Sequence, residues 1–211
     1  MFYRQAALVF LVFSALLGFT QAVAFESTVA IWREQDLTLV YHGQGRMLDS
    51  SSVYHCDELE RLVLGLLRAV GARADVRSEA ERCVDFASPQ TLRILVASPF
   101  EATPENIEAA TSHDATQRLL ARLRGEPLPT ATDLERFSAR WQKVSLRRVG
   151  RMTLEPGVCL LVKAVRDQLF RKLSVRYTSE NFRCDAGRAS VQLAVEALVS
   201  TQPPPASGMR W

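Results

Sequence analysis

Three histidines, His42, His55 and His113, are the imidazoles this 211-residue sequence offers for general-base or metal chemistry. Two of them bracket Asp49 and the run Ser50-Ser51-Ser52, so one short stretch holds the acid, nucleophile and base types that acyl-transfer hydrolases use. Such chemistry needs the three groups brought into hydrogen-bond reach from separate elements, and neighbours along one loop do not supply that geometry. The sequence contains no G-x-S-x-G elbow, no H-E-x-x-H pair, no phosphate-binding P-loop and no dinucleotide fingerprint. A small exported hydrolase with its site near His42 and His55 is therefore the alternative reading. The principal one is a non-catalytic chain with surface or structural histidines, in which the serines form a polar loop and cap a helix. Glu58 and Glu60 sit on a solvated helix start and gain nothing from burial. No cofactor is expected.

The four cysteines, Cys56, Cys83, Cys159 and Cys184, take their meaning from the compartment. Arg4, an apolar run from Ala6 to Phe19 and the small-x-small triplet Ala22-Val23-Ala24 have the anatomy of a secretory signal peptide over residues 1–24. Cleavage there leaves Phe25 first, and no later stretch is long and apolar enough to span a bilayer. A periplasmic or secreted location is oxidising, so an even number of cysteines reads as two disulfides. A zinc site is not expected, because no C-x-x-C spacing occurs and histidine is scarce.

An internal repeat selects the pairing. Cys56 and Cys83 are 27 positions apart, and Cys159 and Cys184 are 25 apart. Laid over one another, the pairs align Leu59, Leu62, Leu66, Leu67 and Val70 with Val162, Val165, Leu169, Phe170 and Leu173. Both sets follow the period of an amphipathic helix with one buried stripe. Asp57, Glu58 and Glu60 suit the first helix's start, and Arg68 and Gly71 suit its end. Pro156-Gly157 opens the second. Arg82-Cys83 matches Arg183-Cys184, and nine residues on, Leu92-Ile94-Val96 matches Leu193-Val195-Ala197, each alternating as a half-buried strand does. Strands are also expected upstream, at Leu37–Tyr41 and Val144–Arg147, each preceded by a tryptophan, Trp32 or Trp141. The expected fold is α+β: two tandem disulfide-stapled βαββ-like units, residues 25–100 and 134–200, linked as Cys56–Cys83 and Cys159–Cys184. Each staple offsets the marginal core of a small unit.

Residues 101–133 form a helical linker that covers one side of the sheets. Pro104 opens one helix, a second runs from Ser112 to Arg124 and stops at Gly125, and Pro127–Thr130 is a loop. A sharper reading makes this segment an insertion shaped for a partner. Residues 201–211 are a Pro-rich tail expected to be disordered or extended.

Charge divides the chain. Residues 25–100 carry 8 basic and 11 acidic side chains, residues 101–133 carry 3 and 6, and residues 134–200 carry 13 and 6. The +7 of the last segment is masked by an overall +3. Arg147, Arg148, Arg151 and Arg166 are the candidate contacts for an anionic partner, a protein or envelope polymer; the competing reading packs the basic half against the acidic one. Nucleic acid is not expected, because the aromatics are few and scattered where single-strand binders cluster them. With 47% hydrophobic and 23% charged residues the chain is composed like a globular protein, neither disordered nor collagen-like. The function expected is that of a non-catalytic exported binding or accessory module engaging another envelope or secreted component.

Overall fold

Alternation and helical period place nearly every element of the structure, a computed structural model that describes residues 27–42, 54–78, 89–146, 148–149, 152–153, 158–184 and 190–202. Strand β1 (Thr28–Tyr41) turns Leu37, Leu39 and Tyr41 inward. Helix α1 (Cys56–Ala69) carries Asp57 and Glu58 in its first turn and Arg68 in its last, matching the helix dipole. Gly71, just past the C-cap, has φ of +78°, a left-handed turn natural only to glycine. Strands β2 (Arg73–Ser78) and β3 (Gln90–Glu101) pair antiparallel, and β3 also pairs antiparallel with β1. The last strand thus lies between the first two, a split βαβ path.

The second half retraces that path. Strand β4 (Arg136–Ser145) leads through a two-stranded ribbon, β5 (Arg148–Val149) with β6 (Met152–Thr153), to helix α4 (Val158–Gln168) and a 3-10 turn at Phe170–Lys172. Strands β7 (Val175–Arg183) and β8 (Ser190–Ser200) follow, with β8 between β4 and β7. Between the halves run helices α2 (Pro104–Thr111) and α3 (Ala115–Arg124). β1 and β4 pair antiparallel over Thr28–Ile31 and Arg136–Ala139, closing one six-stranded sheet in the order β2-β3-β1-β4-β8-β7. Past Ile31 the two strands part, and the Gln168 side chain serves the bare edge of β1. Its amide donates to the Val40 carbonyl and accepts from the Val40 N–H, both at 2.8 Å.

All ten apolar positions aligned in the two helical stripes are buried. They join Leu37, Leu39, Leu92, Ile94, Val96, Leu193, Val195 and Ala197 in one hydrophobic cluster. The halves therefore share a core on one sheet face instead of burying two small ones, and this eases the size penalty that stapling was expected to offset.

Three boundaries differ from the sequence reading. β1 and β4 begin well before Leu37 and Val144, so Trp32 and Trp141 lie within strands. At the outer end of β1 the neighbours Ala30 and Ile31, on opposite faces, are both buried while Val29 is exposed, so the apolar alternation is lost there. The β3 and β8 registers differ by two residues from the cysteine-based match. Trp32 pairs with Pro99 and Trp141 with Leu198, which aligns Ile94, not Leu92, with Leu193. A two-residue slip keeps every side chain on its face, so the pattern is blind to it. Helix α3 starts at Ala115, not Ser112, because Asp114 and Gln117 form a reciprocal capping box there.

The Tyr41 hydroxyl is buried without a hydrogen-bond partner among the described residues. Burial pushes its pKa up to about 12. The folded value lies above the unfolded one near 10, so the associated stability is complete below pH 10 and is lost as pH rises toward 12, by about 1.4 kcal/mol per unit of difference. Tyr41→Phe is expected to stay within about 1 kcal/mol of wild type at pH 7. It should flatten the loss between roughly pH 10 and 12, as read from urea unfolding of both proteins across that range. Equal pH profiles would refute this assignment.

Candidate functional site

The residues singled out for catalysis sit at one end of the sheet. His42 follows β1 and His55 precedes α1, both exposed. The Tyr41 and Tyr54 rings are 6.1 Å apart, bringing the two segments together. The His55 carbonyl accepts from the Glu58 and Leu59 amides at 3.1 and 2.9 Å and so opens the helix. Gln90, buried beside them, donates to the Tyr54 carbonyl at 3.1 Å. Asp49 and Ser50 to Ser52, the acid and nucleophile of the alternative reading, lie outside the described residues. His113 lies far off in the linker, its Nε2 3.3 Å from the Pro129 carbonyl. Among the described residues no group of three or more His, Cys, Asp or Glu is placed to hold a metal ion.

Cys159, in the first turn of α4, is bonded to Cys184, which directly follows β7. Cys56, the first residue of α1, is also disulfide-bonded, and its expected partner Cys83 lies outside the described residues. Among the described residues no helix is long and apolar enough to cross a membrane.

Of the candidate anion-binding arginines, Arg147 and Arg151 lie outside the described residues, as does the side chain of Arg148, the first residue of β5. Arg166 takes the place of buried Val63 on the second helix, and its side chain is only 15% exposed. It pairs with Asp167 at 2.6 Å and Glu180 at 2.7 Å and stacks on Phe182 at 4.9 Å. Burial alone would lower its pKa, but bonds to Glu180 and Asp167 outweigh that and raise it. Its charge is thus satisfied within the second half. Arg176 pairs across the halves with Glu101 at 3.7 Å.

The sheet face opposite α1 and α4 carries a second constellation. The Arg73 guanidinium lies 3.9 Å above the Trp32 ring, and that of Arg176 lies 3.7 Å above Trp141. The two stacks occupy matching places: Arg73 pairs with Ala97 and Arg176 with Glu196, each two residues before the tryptophan's partner on the same middle strand. In the second half the Trp141 indole N–H donates to Glu101 at 2.7 Å, and that carboxylate oxygen also meets Arg176. In the first half Phe137 stacks on Trp32 at 4.8 Å. Sequence inspection passed over Arg73 and Arg176, though each follows its helix-opening cysteine by 17 residues.

The linker folds over the first half of this face. Thr103 caps α2 through the Asn106 amide, and the Asn106 side chain donates to the Glu101 carbonyl at 2.9 Å, so the helix springs directly from the end of β3. α3 is closed at both ends, by the Asp114 box and by Gly125 at φ of +67°. Yet it buries none of its residues: Leu119, Leu120 and Leu123 are 57%, 44% and 75% exposed. At 100° per residue these leucines span about 100° of the helix, with Arg118 and Arg122 on one flank and Arg124 on the other. A hollow of about 450 Å³ lies on another side of α3, lined by Arg118, Ala121, Arg122, Glu126, Pro127 and Leu128 and by none of the three leucines. The spacing of these leucines and arginines is legible in the sequence; their exposure is not. In comparisons with known protein families, curated proteins and solved structures, the chain matches none.

Proposed function

We propose that the protein is a non-catalytic binding module of a periplasmic or secreted setting, built from a duplicated βαββ unit, which docks an acidic protein partner onto α3. The observation that carries this reading is the leucine ridge. A capped helix showing three large apolar side chains to solvent loses free energy until something covers them, and contiguous exposed apolar surface marks interaction sites. The flanking arginines ask for acidic groups around the covering surface. The repeated strand order and the matched Arg–Trp stacks support duplication. The Cys159–Cys184 bond fits an oxidising compartment. The arginines this reading uses are Arg118, Arg122 and Arg124; of those expected earlier, Arg166 is paired with Asp167 and Glu180, and Arg147, Arg151 and the side chain of Arg148 lie outside the described residues.

The test pairs two variants, Leu119→Asp with Leu123→Asp, and Arg118→Ala with Arg122→Ala. Both alter exposed positions, so the fold should be kept. A protein captured by wild type and then purified is expected to lose about tenfold or more in affinity with either variant, and to release as salt rises. Undiminished binding by both variants, no capture, or preferential binding to phosphatidylglycerol-rich vesicles would overturn the reading.

A further inference from the structure

We infer that the cleft between the first half's Arg–Trp stack and the linker binds a small zwitterion, an α-amino acid or dipeptide, with preference for a basic side chain. The cleft is an open one of about 380 Å³, with Trp32 and Arg73 contributed by the sheet, His113 beside them and the exposed Glu34, Asp133 and Glu135 at its rim. That volume suits one or two amino-acid residues and lies in the range of small-molecule sites. It is distinct from the α3 ridge and does not depend on that reading.

Charge carries the inference. Among the described residues no carboxylate pairs with Arg73, whose one contact of note is the stack on Trp32. The second half shows what such a stack attracts, since Arg176 and Trp141 there converge on the Glu101 carboxylate. The residue matching Glu101 in register is Ser200, for Glu101 and Ser200 each lie two past the tryptophan's partner. A hydroxyl therefore replaces the carboxylate, and Arg73 is left with its charge unspent. Glu34 and Glu135 likewise pair with no described cation, and Asp133 is held anionic by the Thr130 hydroxyl and amide, at 2.6 and 2.8 Å. A single cavity thus presents one cation and three anions that do not reach one another. A ligand bearing a carboxylate and an ammonium satisfies both sets, with its carboxylate on Arg73 in a charge-assisted bond. The excess of acid favours a second ammonium or guanidinium on the ligand over a second carboxylate.

Calorimetry on the oxidised full chain, alongside Trp32 fluorescence in a Trp141→Phe, Trp211→Phe background, tests this with L-lysine, L-arginine, L-leucine, L-glutamate, L-lysinamide and lysyl-alanine. Saturable binding is expected in the order basic, then neutral, then acidic, and lysinamide should bind about tenfold or more weakly than lysine. Arg73→Met should weaken lysine binding by a similar factor, whereas Glu34→Gln, at an exposed position, should narrow the gap between lysine and leucine. The stronger of lysine and lysyl-alanine identifies free amino acid or peptide as the source. Absence of heat and of indole response with every compound, equal binding of lysinamide, or a preference for glutamate would overturn the inference. Should Arg73→Met fail to fold, the lysinamide and Glu34→Gln comparisons decide it.

Discussion

Replacing Phe170 by alanine is expected to lower the unfolding free energy by about 3–5 kcal/mol, a large share of the 5–15 kcal/mol typical of folded proteins. Phe170 sits in the 3-10 turn after α4, fully buried, and among the described residues is the largest such side chain without a polar atom. Its truncation removes the transfer free energy of the ring and leaves a cavity that a close-packed core fills poorly. The expected result goes beyond magnitude. Phe170 belongs to the same cluster as Leu92 and Ile94 on β3 of the other half, so the chain should unfold in one transition. Amide exchange at Leu92 and Ile94 should then accelerate in step with exchange at Val195. Leu67→Ala, at the matching place on the first helix, should act in the same way in the opposite direction. Protection of the first half that survived Phe170→Ala would show two independent cores.

That shared core also explains which features the sequence revealed. Helical stripes such as Leu59-Leu62-Leu66 and strand alternations such as Leu92-Ile94-Val96 are imposed by burial against a common face, and burial is what residue type records. The cap at Thr103 and the stop at Gly125 are equally local, being fixed by hydrogen bonds within one turn. Nothing local says that β1 and β4 pair, because that contact spans only Thr28–Ile31 and Arg136–Ala139 and involves residues of mixed polarity. One sheet or two was therefore open. The candidate site was legible in part for the same reason. Arg147, Arg148, Arg151 and Arg166 stand out as charges, but residue type does not tell a free arginine from one like Arg166, enclosed by Asp167 and Glu180. Conversely, Arg73 acquires interest only once Trp32 lies beneath it, a relation between separate strands.

Removing the Cys159–Cys184 link is the second large effect expected. The bond closes a loop of 25 residues, and the loop-entropy relation puts its stabilisation at about 3.5 kcal/mol. The fold gives it a further task. β7 is an edge strand, paired on one side by β8, and its pairing is interrupted between Tyr177 and Ser179. The tie from Cys184 to the buried start of α4 holds the far end of that strand to the core, so its loss should free β7 first. Cys159→Ala with Cys184→Ala is therefore expected to cost about 3–4 kcal/mol in urea unfolding. Exchange at the α1 amides should quicken only by this global loss, and that at the β7 amides near Phe182 should quicken further through local release of the strand. A cost below about 1 kcal/mol would mean that the intact chain already confines this loop in its unfolded state, and the entropic account would fail. Loss of protection spread evenly over both halves would instead show that the bond stabilises the whole cooperative unit and does not anchor its edge.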